Sequence, residues 1–192
     1  MGDIRTWIFR ALVLIGAALF IYSWFQPWWT AYIVALDTTA INIYAYGIES
    51  FVPSEFAAWI AGYDQIMPAW FDNFMWIYLA ACVVVLLLGM FASSDQKERI
   101  GIGKIGVSLP SALVGAVGIS FLIVAITAVI VISMNLTGFY NSPLVGTFKL
   151  DMGDPYISDV NTKLTTGYYL AIAGGLLLLI VAILRKFIIG KK

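Results

Sequence analysis

Four stretches of this sequence are each long and apolar enough to cross a lipid bilayer, and no other feature constrains the fold as strongly. A spanning helix needs about 20 mainly apolar residues. The first stretch runs from Trp7 to Phe25 and contains ALVLIGAALFIYSWF. The second runs from Phe74 to Ala92 (WIYLAACVVVLLLGMF), the third from Ser111 to Met134 (SALVGAVGISFLIVAITAVIVISM), and the fourth from Tyr168 to Ile189 (YYLAIAGGLLLLIVAIL). Pro27 marks the exit from the first helix, because proline lacks the next backbone donor, and Pro110 suits a first helical turn. The composition agrees: 61% of residues are hydrophobic and 11% charged, against roughly a quarter charged in a water-solvated domain. QPWWTAY, which follows the first stretch, lacks a small-x-small cleavage pattern, so that stretch is expected to remain as a span.

Lysine and arginine set the expected orientation. Arg5, Arg10, Lys97, Arg99, Lys104, Arg185, Lys186, Lys191 and Lys192 fall on one side of a four-span arrangement, and only Lys149 and Lys163 on the other. The acids are reversed: eight fall with Lys149 and Lys163, and Asp3, Asp95 and Glu98 fall with the basic groups. The basic side is expected to be cytoplasmic and to carry both termini, at a cell membrane, where it favours anionic lipid. Trp24, Trp28, Trp29, Trp70 and Trp76 gather at the outer ends of the first two spans, where an indole matches the boundary between hydrocarbon and headgroups.

The outer loops, 26–73 and 135–167, are long enough to need structure of their own. TAYIVALDTTAINIYAYG predicts two strands broken at Asp37-Thr38-Thr39. In the second, Ile41, Ile43 and Ala45 alternate with Asn42, Tyr44 and Tyr46, giving one apolar and one polar-aromatic face. SEFAAWIAGY predicts a short amphipathic helix capped by Ser54, with Phe56, Trp59, Ile60 and Tyr63 on one face. VGTFKLDM predicts a further strand. Asp151, Asp154 and Asp159 form a candidate calcium group without the EF-hand spacing. Asn135-Leu136-Thr137 matches a glycosylation sequon. The chain is expected to fold as one four-span domain: an all-α membrane bundle with a small extracytoplasmic β-sheet formed by the two outer loops.

The chemistry-bearing residues are sparse. There is no histidine and a single cysteine, Cys82, so the commonest metal ligand and an internal disulfide are both missing. No Ser/His/Asp set, glycine-rich phosphate loop or Cys-x-x-Cys is present. The expectation is a protein that is not an enzyme and that carries no cofactor and binds no nucleic acid. The spans hold no charge away from their ends, since Arg10 and Arg185 can reach the boundary. Ser120, Thr127, Tyr22, Ser23 and Cys82 are the polar atoms noted at depth, with hydroxyls expected to bond the preceding helical turn. Gly115, Ala116, Ala171 and Gly175 fall in small-xxx-small pairs that permit close helix packing.

The tryptophans beyond the first span (Trp28, Trp29), the two strand candidates within 31–47 and the strand candidate at 145–152 give a layout that resembles the claudin-like four-span superfamily. That family's Gly-Leu-Trp sequence and paired outer-loop cysteines are not present. The resemblance implies that strands of both outer loops pair into one sheet, and that the protein serves in adhesion, barrier formation or as an accessory subunit. Trp28, Trp29, Tyr32, Tyr44, Tyr46 and Trp59 are the expected interaction surface, because exposed Tyr and Trp suit contact surfaces. The expected function is a structural or accessory subunit bound to lipid and to a membrane-protein partner or a second copy. The alternative is a component of an oligomeric channel or transporter, or a bundle that binds a lipid or quinone.

Overall fold

Four helices account for the apolar stretches: α1 (Gly2–Trp24), α2 (Phe71–Phe91), α3 (Leu109–Tyr140) and α4 (Thr166–Ile189). The computed structural model describes residues 2–51, 70–91, 99–102, 105–140, 142–151 and 157–189. All four helices are long and apolar enough to cross a membrane, and only 22% to 28% of each span is buried within the chain. Large apolar side chains instead face outward, with Ile77 68% and Ile183 64% exposed. A protein surface this apolar matches hydrocarbon rather than water, so the chain is built as a multi-pass membrane protein.

The helix ends have local causes. α1 closes with tighter bonds, from Phe25 N to Tyr22 O and from Gln26 N to Ser23 O, before Pro27 stops it. α3 runs six residues past the expected end at Met134. Asn135 Nδ2 and Thr137 Oγ1 bond back to Val131 O and Ser133 O at 2.8 and 2.9 Å, so these polar side chains are satisfied on the helix itself. The sequon is therefore helical, with Leu136 fully buried. α4 begins after Thr165, whose carbonyl takes the first bond, from Tyr168 N.

The chain divides into two compact units, and every helix contributes to both. One unit comprises Met1–Ile21, Ile77–Val124 and Leu170–Lys192. Its helices meet through glycines. A Cβ on Gly118 would lie 2.8 Å from Gly175 O and 2.9 Å from Leu179 N, and one on Gly16 would lie 2.6 Å from Leu178 Cδ2. Phe20 and Phe121 fill the interior edge to face, with centroids 4.2 Å apart. Of the expected packing residues, Gly115 faces Ala182, Gly175 faces Gly118 and Leu122, Ala171 is buried, and Ala116 is exposed. An antiparallel hairpin of β4 (Arg99–Ile102) and β5 (Ile105–Ser108) lies between α2 and α3, where no strand is expected from the residues.

The second unit, Tyr22–Trp76 and Ala125–Tyr169, holds an antiparallel five-stranded sheet. Its five strands are β1 (Trp29–Ile33), β2 (Thr38–Ile43), β3 (Ile48–Ser50), β6 (Gly146–Asp151) and β7 (Ile157–Leu164), in the order β3-β2-β1-β7-β6. Strands from both long loops thus share one sheet, joined where β1 pairs β7. Trp29, Ala31, Ile33, Ala40, Ile41, Ile43 and Val160 form its core with Ile132 and Leu136 of α3. The alternation expected in β2 is present, with Ile41, Ile43 and Ala45 buried and Asn42, Tyr44 and Tyr46 partly exposed. Asp37 turns β1 into β2 at φ 47°, a region that Asp tolerates better than most residues. β3 and β7 were not anticipated, and the amphipathic helix expected at 54–63 lies outside the described residues.

Gly118→Ala places its methyl against backbone rather than a movable side chain. Overpacking of this kind costs about 1–3 kcal/mol. Thermal unfolding of the purified chain in mild detergent should show a lower midpoint for Gly118→Ala than for Gly115→Ala, whose Cβ meets only the Ala182 methyl at 3.2 Å.

Candidate interaction surface

The turn at Pro27-Trp28 positions the polar-aromatic face of the sheet unit. Pro27 O accepts bonds from Thr165 Oγ1 and, at 3.2 Å, from Gly167 N. Trp28 N donates to Ile43 O at 2.7 Å, and Trp28 O accepts from Thr165 N at 3.0 Å. The end of α1, the end of β2 and the start of α4 are therefore tied at one point.

Just past the end of β2 the chain reverses, with Tyr44 N bonded to Gly47 O at 2.8 Å. This reversal stacks Tyr44 on Tyr46, with centroids 5.2 Å apart and planes at 15°. Tyr46 in turn stacks on Trp76 of α2 at 5.2 Å and 29°. Trp76 also meets Phe25 at 6.1 Å and Trp24 at 6.3 Å. Trp24 is buried and anchors one end, whereas Trp76 remains 40% exposed and both tyrosines partly so. The result is a continuous aromatic ladder, each ring held by the next.

Carboxylates border this ladder. Burial raises the Tyr44 phenol above its usual 10.0, and the Glu49 charge adds to it. Tyr46 is raised by burial first, then by Glu49, with Asp72 contributing. Tyr32 is raised mainly by its hydrogen bond to the Asp37 carboxylate. Rings of this kind, beside acids, can cover apolar groups of a partner and can attract a guanidinium or ammonium through the ring faces.

The other expected surface residues are placed differently. Trp28 is 2% and Trp29 0% exposed. The Trp28 indole donates to Ser23 O at 3.0 Å and packs edge-on against Tyr168, and the Trp29 indole donates to Leu144 O at 2.7 Å. Both belong to the core of the sheet unit, because each N–H finds a backbone carbonyl inside the fold. Trp59 lies outside the described residues. Trp76, noted in the sequence as a boundary anchor, joins the ladder. Nothing in the sequence spacing links it to Tyr46.

Among the described residues no three potential metal ligands come together. Asp159 is exposed on β7 opposite Lys149, the Asp151 backbone ends β6, and Asp154 lies outside the described residues. Within the spans, Ser120 Oγ donates to Val117 O at 3.0 Å and shares a bond of 3.0 Å with Tyr78 Oη. Cys82 is within hydrogen-bonding reach of both. Tyr78 lies outside the polar residues expected at depth, although its spacing from Cys82 puts the two on one helix face. Thr127 and Tyr22 are exposed, and Ser23 is buried. No protein-family model matches the chain, and no curated protein matches it closely enough to show a relationship.

Two measurements test this placement. Trp29→Ala removes a buried indole and its bond to Leu144 O, so it should cost about 3–5 kcal/mol in thermal or denaturant unfolding, whereas Tyr44→Ala should leave the fold close to native. In an alkaline absorbance titration, Tyr44 and Tyr46 should ionise later than a free phenol. A raised phenol favours the folded state below pH 10.0, and that contribution fades as pH climbs through the raised values. Glu49→Gln should move both tyrosines back towards 10.0 and leave Tyr32 unchanged.

Proposed function

We propose that this chain is a non-catalytic, claudin-like structural or accessory subunit whose extracytoplasmic sheet docks a membrane-protein partner through the Tyr44–Tyr46–Trp76 ladder. The ladder carries this reading. It is a rigid, partly exposed aromatic surface bordered by Glu49 and Asp72, a composition favoured where proteins meet. The partner chemistry that fits is an apolar or aromatic segment bearing arginine or lysine. A single sheet shared by both long loops supports the claudin-like layout. The charge asymmetry supports cytoplasmic termini and an external sheet.

The alternative is a lipid or quinone site in the spans, and the Tyr78–Ser120–Cys82 group favours it. Tyr78 and Ser120 already bond one another, and Ser120 bonds Val117 O, so these hydroxyls do not need a ligand to be satisfied. The docking reading is therefore preferred.

A photoreactive residue in place of Tyr44 or Tyr46, activated in native membranes, should give a discrete adduct. A lipid-facing control at Ile183 should give lipid products only. Recovery of bare monomer from both ladder positions would overturn the docking reading. Cysteine labelling in a Cys82→Ala background should find Lys149→Cys and Lys186→Cys in opposite aqueous compartments, and the same compartment for both would overturn the topology.

A further inference from the structure

We infer that Arg185, near the end of α4, holds the phosphate of an anionic phospholipid, a site separate from the aromatic ladder. The guanidinium is partly buried in the unit built from Met1–Ile21, Ile77–Val124 and Leu170–Lys192. Its Nη1 donates to Ser108 Oγ at 2.6 Å, and Ser108 Oγ shares a 3.0 Å bond with Ser111 Oγ. Its Cζ lies 5.3 Å from the centre of the Phe9 ring. Its Nε is buried and has no acceptor among the described residues.

Among the described residues, every one of these contacts is neutral. A guanidinium stays protonated in any protein setting, and a partly desolvated charge with only neutral partners is incompletely compensated. Arg10 differs, because its Nε ends on Met90 O, a carbonyl left open at the end of α2. At Arg185 the buried Nε closes one edge of the fork. Nη1 is held on Ser108 Oγ, which leaves the Nη1–Nη2 edge to meet a ligand. Two parallel N–H groups on that edge match a phosphate oxygen pair.

The position along the helix selects the ligand. Arg185 sits four residues before the last residue of α4, Ile189, or ~6 Å from that end of a spanning helix. The anion stationed at that depth is a lipid headgroup phosphate. Ser108 and Phe9 fix the guanidinium, so the site differs from the general attraction of exposed Lys186 for a charged membrane surface.

The test is lipid retention by the full chain, extracted into mild detergent, exchanged against mixed phosphatidylglycerol and phosphatidylcholine micelles and analysed by native mass spectrometry. The native chain should keep phosphatidylglycerol in preference to phosphatidylcholine. Arg185→Gln should lose that preference by about tenfold, the scale of one lost charge-assisted fork. Lys186→Gln should stay close to native. Arg185→Lys and Ser108→Ala keep the charge in place, so they should fold and retain an intermediate preference even where Arg185→Gln does not fold. Excess inorganic phosphate should not displace the lipid. Equal retention of both lipids by the native chain, an equal loss in Lys186→Gln, full retention in Arg185→Lys and Ser108→Ala, or displacement by inorganic phosphate would each overturn the assignment. None of these results bears on crosslinking at Tyr44 or Tyr46.

Discussion

The sheet unit depends on the Pro27 carbonyl. Proline ends α1 because it cannot extend the helix, and its own carbonyl is then free to receive Thr165 Oγ1 and Gly167 N. The adjacent residue completes the clasp, with Trp28 bonded through its backbone to Ile43 and Thr165 and through its indole to Ser23 O. The pairing of residue 28 with residue 165 continues as Trp29 with Leu164, and on through Ile33 with Val160. The clasp therefore sets the register in which strands of two distant loops meet. A slip of one residue would turn Trp29, Ala31 and Ile33 out of the core. Gly167 permits the approach, since a Cβ there would lie 2.5 Å from both Gln26 O and Pro27 O. No rearrangement of side chains relieves contact with two carbonyls.

The spans obey a different rule. Apolar area outside a membrane helix gains little from moving inward, so helix contact rests on close packing and on hydrogen bonds. Glycine serves the first need at Gly16, Gly118 and Gly175. Local bonds serve the second: Ser120 returns to Val117, Asn135 to Val131 and Thr137 to Ser133. The arginines sit near the helix ends and bind what the neighbouring elements offer there, a helix carbonyl at Met90 or the hydroxyl of Ser108 at the end of β5. The two units thus divide the physics. One packs helices without a hydrophobic drive, and the other buries a sheet core in the ordinary way.

That division explains what could be read from residues alone. Spans are legible because their signal is length and apolarity, and all four were placed. α3 ran long because Asn135 and Thr137 look like exit residues until their side chains are seen to bond the helix. β1, β2 and β6 announce themselves through β-branched and aromatic residues. β7 does not, because its inward positions are Ser158, Val160 and Thr162. Two of those three are buried by hydrogen bonding: Ala35 N donates to Ser158 Oγ, and Thr162 Oγ1 donates to Pro143 O and Gly146 O. Hydropathy carries no trace of such bonds. The same blindness affected Trp28 and Trp29. An indole beside a span end looks alike whether its N–H meets headgroups or a carbonyl inside the fold.

The Tyr44–Tyr46–Trp76 ladder gains from being assembled in advance. A partner binding scattered aromatics must first order them, at about 0.5–1.5 kcal/mol for each side chain immobilised. Here Tyr44 is already stacked on Tyr46, Tyr46 on Trp76, and Trp76 is braced by Phe25 and buried Trp24. The Tyr44–Gly47 backbone bond fixes the reversal that brings the two tyrosines together. Outward-facing side chains of the spans meet lipid, and the indoles of Trp28 and Trp29 are committed to the core. The ladder combines exposed π faces, neighbouring carboxylates and rigidity, and this combination supports docking there in preference to the helices.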